Sequence, residues 1–426
     1  MSDLGFERGT VAPRYGSDCL SSVPATVLSL LGIQSGGPRL PDDAFEGVDT
    51  TGIEKVVLFV LDGLGHREWR RQEGRGGFVR MMARRGRVTP ITSVFPSTTS
   101  TALTTLATGL TPQEHGLIEW YMYLSEIDAT IETLPFSPMG SREGDLLRPS
   151  LDPRVLFDGE SIYGRMVRQG VEVHSFLSRR IARSGYSSVV HAGTDVVPYS
   201  HASDLLTSLR RRIEGGGGGG GGGPAFFYVY WPMVDTVEHV YGPNTEEADL
   251  EASSLSHTLA EGLVGRVERS SMGKTLFLLT ADHGQILSPT RDALMLDAYV
   301  RLRGSLAVSA NGRTILPWGG TRDVYLQVRD EALAETAAYL SEELRGRARV
   351  LLTADAVGSG LFGTGAPSKR FASRVGNLMV LPERTGSAWY RHPGADLGEI
   401  MGVHGGLHED EMMVPFAVVR GSALGT

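Results

Sequence analysis

Three uninterrupted apolar runs constrain what this chain can fold into more than any other feature: KVVLFVL from Lys55, AFFYVYW from Ala225 and TLFLLT from Thr275. Runs rich in β-branched and aromatic residues, without polar residues in alternate places, are strands covered on both faces. The second and third follow stretches that predict helices, Ala202 to Glu214 and Glu247 to Arg269. Strands alternating with helices in this way predict an α/β fold, a mostly parallel central sheet with helices on both faces. PFAVVRG, from Pro415, predicts a last strand returning to that sheet. In such sheets ligands gather beyond the carboxyl ends of the strands. Asp62, Asp235 and the Asp282-His283 pair all sit just after apolar runs, so they are candidates for one shared site.

At 426 residues the chain is long enough for one large α/β domain carrying an insertion. We expect an N-terminal extension over 1–50, a catalytic core built from 51–290 and 400–426, and an inserted α+β cap or lid over 291–399. Nine consecutive glycines, Gly215 to Gly223, join a predicted helix to a predicted strand. They lack the lysine and Ser/Thr of a phosphate-binding loop and predict a surface linker. A formal net charge of -8 disfavours nucleic acid polymers and anionic membranes as partners. No apolar run approaches bilayer-spanning length and no basic-then-apolar leader is visible at the start. The single cysteine, Cys19, permits no internal disulfide framework. A cytoplasmic protein is the corresponding expectation.

The polar clusters supply carboxylate and imidazole ligands in numbers that suit two divalent ions. Asp235 and His239 are four apart, so on a helix they project from one face. Asp282 and His283 are adjacent at a strand end, His404 precedes two glycines, and Asp62 makes a sixth ligand. Taken singly, each has a commonplace alternative: a helix cap, a turn former, a chance spacing. The segment ITSVFPSTTSTALTTLATGL, from Ile91, places hydroxyls at a predicted helix N-terminus after Pro96. There a hydroxyl is either a nucleophile or a plain helix cap, and spacing alone ranks the two equally. An unassisted threonine is a poor nucleophile, whereas coordination to a metal ionises it near neutral pH.

The order Asp62, the Thr-rich segment with Thr108 to Gly116, Asp235-His239 with Gly242-Pro243, Asp282-His283-Gly284, then His404-Gly405 resembles the alkaline phosphatase superfamily. Within it the pattern is most similar to the type I phosphodiesterase/nucleotide pyrophosphatase branch, over residues 50–290 and 400–420. The resemblance implies one metal held by Asp235, His239 and His404, and a second held by Asp62, Asp282 and His283. Zinc is the expected ion, with manganese or iron as alternatives. It also implies Thr99 as the nucleophile coordinated to the second metal, with Thr98 as next candidate, while His408 competes with His404.

Two positions depart from that pattern. Trp120 stands where the branch has an asparagine that donates to a phosphate oxygen, and Ser100 where an aromatic residue often stacks a base. An arginine of the insertion is expected to replace the missing donor, and Glu119 to contact a cationic or hydroxylated group. Trp120, Tyr121 and Tyr123 form either a stacking wall or ordinary packing. The implied activity is cleavage of phosphodiester or pyrophosphate bonds in a small, phosphorylated, nucleotide-like substrate through a phosphothreonine. The alternatives are a phosphomonoesterase, phosphonate hydrolase or phosphomutase of the same superfamily, and a non-catalytic binding protein stabilised by its metals.

Overall fold

The computed structural model describes residues 9–215, 223–395 and 398–425, so most of the glycine tract lies outside the described residues. The three apolar runs form neighbouring strands of a seven-stranded sheet. In chain order its strands are β1 (Lys55–Leu61), β2 (Arg87–Thr92), β3 (Glu172–Ser178), β4 (Asp195–Tyr199), β5 (Ala225–Trp231), β6 (Thr275–Thr280) and β7 (Met413–Arg420). Across the sheet the order is β2-β7-β6-β1-β5-β3-β4. The five strands from β6 to β4 are parallel, with Val57 opposite both Phe227 and Phe277. Each of β1, β5 and β6 is buried over nearly its whole length, as their unbroken apolar text requires.

The helices that frame the sheet are α1 (Val23–Leu30), α2 (Gly77–Arg85), α3 (Thr99–Thr108), α4 (Ile162–Arg168), α5 (Gly185–Val190), α6 (Ala202–Ile213), α7 (Met233–Tyr241) and α8 (Glu246–Leu259). Successive strand residues point to opposite faces, and both faces are covered. Phe78 of α2 meets Phe59 and Phe277 edge-on at 5.7 and 6.0 Å. Tyr163 of α4 stacks on Phe226 at 5.9 Å from the other side.

β7 is the one reversed strand, antiparallel to both β6 and β2. The chain enters it directly from the His404 segment at the carboxyl ends of the parallel strands, so it must run away from that end. The inserted residues form a separate four-stranded antiparallel sheet, ordered Trp318–Gly319, Val324–Leu326, Leu378–Pro382, Ala348–Leu352. It has a smaller core of its own that includes Leu326, Val328, Leu340 and Val380. No helix among the described residues is long and apolar enough to cross a membrane.

Phe78 is fully buried between two strands, so Phe78→Ala leaves a cavity that the close-packed sheet cannot collapse into. A loss of about 3–5 kcal/mol is expected, read from the urea midpoint; a loss below ~1 kcal/mol would contradict this packing.

Candidate active site

Every cluster singled out in the sequence meets at the carboxyl end of the parallel strands. Asp62 follows β1, Asp235 and His239 lie on α7 just after β5, Asp282 and His283 follow β6, and His404 lies on the return to β7. Gly63 allows the close approach of the first two. It adopts φ +76°, and a Cβ there would lie 2.8 Å from the Asp235 Cα, so only glycine fits.

The side chains form two groups of three, Asp235-His239-His404 and Asp62-Asp282-His283, whose donor atoms lie within 4.8 Å of one another in each. Asp235 Oδ1 is 3.3 Å from His239 Nε2 and 3.6 Å from His404 Nε2. His283 Nε2 is 3.4 Å from both Asp62 Oδ1 and Asp282 Oδ2. The groups adjoin, because the His283 and His404 rings stack at 3.6 Å.

Hydrogen bonds on the outer side set each imidazole. The Nδ1 atoms of His239, His404 and His283 face the carbonyls of Gly402 (2.8 Å), Ser97 (3.1 Å) and Gly284 (3.2 Å). A carbonyl only accepts, so each Nδ1 carries the proton and each Nε2 is left with a lone pair facing inward. Asp62 Oδ2 accepts from the Tyr230 hydroxyl, and Asp235 Oδ1 accepts from Gln285 Nε2. Asp62 Oδ1 and Asp282 Oδ2 are buried with no hydrogen-bond partner at all. Inward-facing acceptors without donors fit a cation and little else.

The electrostatics agree with that donor set. Burial, then the charges of Asp282 and Asp235, hold the Asp62 carboxyl well above the usual range. Burial pushes Asp282 up to about 7 and His283 down to about 4, and it drives His404 well below the usual imidazole value. Asp235 differs: burial acts against it, but the charges of His239, His404 and His283 hold it below its usual value, so the unrelieved repulsion lies between the buried acids, chiefly at Asp62 and Asp282, and falls when a cation enters.

Thr99 is the first residue of α3, and its Oγ1 lies 3.0 Å from His283 Nε2. The Thr98 hydroxyl is engaged elsewhere, with Thr101 Oγ1 at 2.9 Å. His408 stands apart from both groups: its Nδ1 accepts the Asp410 N–H and caps a short helix. The glycine after His404 serves its neighbours, since a Cβ at Gly405 would lie 3.1 Å from Thr98 and Asp323 atoms.

A cavity of about 600 Å³ opens beside Asp62, Thr99 and Asp235. Here several expectations are corrected. Among the described residues, no lining side chain comes from 291–399; beyond the cluster itself the walls are supplied mainly by residues 120–191 together with Tyr228 and Tyr230. The insertion therefore supplies no wall of this cavity. Nor does it supply an arginine. Its Arg322 is buried in a bidentate pair with Glu411 at 2.9 and 3.0 Å, whereas Arg180 and Arg183 of the core line the cavity. Of the three aromatics only Trp120 lines it; Tyr121 packs on Trp389 and Tyr123 on Trp318. Glu119 is fully buried behind the wall, next to the buried Asp323, and burial raises its carboxyl to about 7, so it meets no ligand. Ser100 is buried and faces Thr98.

Tyr230 and Gln285, which orient the acids, carry no signal of their own beyond standing within a few residues of a ligand in sequence. Arg180, Arg183, Tyr186 and His191 carry none, because only the sheet order brings the end of β3 near the end of β1.

A family model described as type I phosphodiesterase/nucleotide pyrophosphatase matches residues 56–407, running through the insertion as well as the core. An uncharacterized pyrophosphatase/phosphodiesterase of Schizosaccharomyces pombe is 23% identical over 206 residues, 46% of this chain and 38% of that protein. The match thus spans well under half of that relative's length. Murine ectonucleotide pyrophosphatase/phosphodiesterase 5 superposes with a TM-score of 0.64 at 14% identity, covering 85% of this chain and 87% of that one; an inactive form of it in complex with AMP gives 0.63. Phosphonoacetate hydrolase from Sinorhizobium meliloti, in complex with phosphonoformate, gives 0.58 at 18% identity, covering 87% of this chain and 94% of that one. At these identities the structural likeness speaks for the fold, which is alkaline phosphatase-like.

Asp62→Asn keeps an acceptor for Tyr230 and removes one of the repelling charges. It is expected to stabilise the metal-free protein by about 1–3 kcal/mol and to abolish most of the rise in Tm on adding zinc. Urea and thermal unfolding with and without chelator check both; a less stable metal-free variant would refute the charge-repulsion account.

Proposed function

Because the chain belongs to the type I phosphodiesterase/nucleotide pyrophosphatase family, we propose that it is a metal-dependent hydrolase that cleaves phosphodiester or pyrophosphate bonds of a small nucleotide-like substrate. The observation that carries this reading is the Thr99 hydroxyl at a helix N-terminus, 3.0 Å from His283 and beside two clusters of candidate metal ligands. Asp235, His239 and His404 would hold one divalent ion and Asp62, Asp282 and His283 the other, with zinc the best match to mixed imidazole and carboxylate donors. When bound, such cations offset phosphoryl charge and lower the proton affinity of a nearby hydroxyl, so no side-chain base is required.

The residues of the chain account for the rest. Thr99 Oγ1 loses its proton and forms a bond to phosphorus as the alcohol or phosphate leaves in line on the opposite side, giving a phosphothreonine. Water then breaks the threonine–phosphorus bond from the reverse face and restores the hydroxyl. The asparagine absent at Trp120 has a substitute close at hand. The first N–H groups of α3 lack intrahelical partners and no side chain caps them, so they would be free to donate to a phosphoryl group at Thr99, with the helix dipole behind them. Tyr230 and Gln285 keep Asp62 and Asp235 in place through the cycle.

The phosphoester panel that tests this contains bis(p-nitrophenyl) phosphate, p-nitrophenyl phosphate and dinucleotides, assayed with zinc or manganese. Diesters or dinucleotides are expected to be turned over faster than the monoester, and chelation to abolish turnover until metal is returned. A preference for the monoester by orders of magnitude would favour the phosphomonoesterase or phosphonate hydrolase reading instead. Thr99→Ala is expected to lower kcat about a thousandfold or more while metal content by elemental analysis stays near two ions per chain. Turnover that survives the substitution would remove Thr99 from the chemistry.

A further inference from the structure

The cavity beside Thr99 has a far side that phosphoryl transfer does not use. Arg180 and Arg183 line it, and both are exposed at its mouth. Their neighbours are engaged: Arg179 donates to Ser200 Oγ at 3.3 Å, and Arg148 lies 3.6 Å from Asp145 Oδ2. Arg180 and Arg183 have no ion pair with a carboxylate among the described residues. The one acid on the same wall, Asp145, accepts the Gly185 N–H at 2.5 Å with its first oxygen and faces Arg148 with its second. Two like charges three residues apart are therefore left without a counter-charge among the described residues.

Deeper in, the wall is uncharged. Tyr163, Tyr228 and His191 line it. The His191 ring stacks on Tyr163 at 5.2 Å, its Nδ1 is 3.0 Å from Ser175 Oγ, and burial holds the imidazole down at about 3. Positive side-chain charge on this side of the cavity is thus confined to the mouth, and the interior suits an aromatic or apolar moiety.

Sheet order fixes how far that charge lies from the reacting centre. Asp62 follows β1, and Arg180 lies two residues past β3, with β5 between them. Two strand spacings separate the two positions laterally by about 10 Å. Neighbouring phosphates of a pyrophosphate are far closer together than that, so arginines that start at this remove and are exposed at the mouth are placed to meet a more distant part of the substrate.

We propose that Arg180 and Arg183 determine specificity by binding a second oxyanion, a carboxylate or a phosphate, at the far end of the substrate's organic moiety. The preferred substrates are then phosphodiesters or pyrophosphates carrying an additional negative charge separated from the scissile phosphorus by a spacer of several bonds. Arginine suits this role because its fork meets either oxyanion with paired hydrogen bonds. The assignment rests on reading Thr99 as the phosphoryl acceptor, since that fixes which end of the substrate lies at the mouth.

The test compares three p-nitrophenyl alkyl phosphodiesters of equal chain length whose tails end in methyl, carboxylate or phosphate. With zinc-loaded protein, kcat/KM for the anion-tailed diesters is expected to exceed that for the methyl-tailed one by on the order of ten- to a hundredfold, mainly through KM. The larger of the two factors identifies the oxyanion. The R180A/R183A protein loses most of that ratio and R180K/R183K keeps part of it. Calorimetry on the Thr99→Ala protein gives the same comparison as Kd, without turnover.

Equal kcat/KM and equal Kd across the three diesters, or a preference that survives in R180A/R183A, overturns the assignment even if all three are hydrolysed. If none is hydrolysed while Thr99→Ala protein still binds the anion-tailed diesters more tightly, and the arginine substitutions abolish that preference, the anion site stands and the phosphodiesterase reading falls.

Discussion

The structure depends on a concentration of charge that the fold by itself does not neutralise. Asp62, Asp235 and Asp282 lie in one dry pocket with three imidazoles whose inward nitrogens are all acceptors. Burial raises Asp62 and Asp282 and lowers His283 and His404, so these four are pushed towards their neutral forms, whereas Asp235, against its burial, is held below its usual value by the histidines that face it. Two carboxylate oxygens are left with no partner. An arrangement this unfavourable in isolation persists because the surrounding sheet over-determines it, and it becomes favourable when cations bind.

The sheet achieves this by topology. Parallel strands deliver Asp62, Asp235 and the Asp282-His283 pair to the same end at neighbouring positions. The sixth ligand comes from a chain segment that arrives at that end without a strand of the central sheet leading up to it. This is the His404 segment, which explains why β7 runs antiparallel: having passed the site, the chain can only leave it in the opposite direction. The same end receives the N-terminus of α3, and with it Thr99. Ligand supply, nucleophile and the reversed strand are three results of one geometric constraint.

The insertion has a different part in the architecture. Its sheet carries its own core, and Arg322 ties it to the main body through the buried Glu411 immediately before β7. It therefore braces the segment that bears His404. The walls of the cavity beside the cluster come mainly from 120–191 instead, where Trp120, Arg180, Arg183 and Tyr186 meet. Those walls and the candidate metal ligands thus belong to separate parts of the chain.

Much of the fold and the reacting centre was legible in the amino-acid order, because both are written in local terms. Unbroken apolar runs can only be doubly covered strands, a polar residue following such a run must lie at a strand end, and Asp235 and His239 at a spacing of four must share a helix face. The choice between Thr98 and Thr99 was open in the sequence, since neighbouring identical hydroxyls differ only in direction, and helix geometry sends one to Thr101 and the other to His283. The cavity wall was illegible for a related reason. Nothing local distinguishes Arg180 from the other solvent-facing arginines or Trp120 from its packed neighbours Tyr121 and Tyr123; their roles depend on strand order across the sheet, a long-range property set by how the whole chain packs. The sequence alone determined which acids, imidazoles and hydroxyls are candidates for the chemistry, because each stands in a local pattern, and only tertiary structure decided which residues wall the cavity beside them.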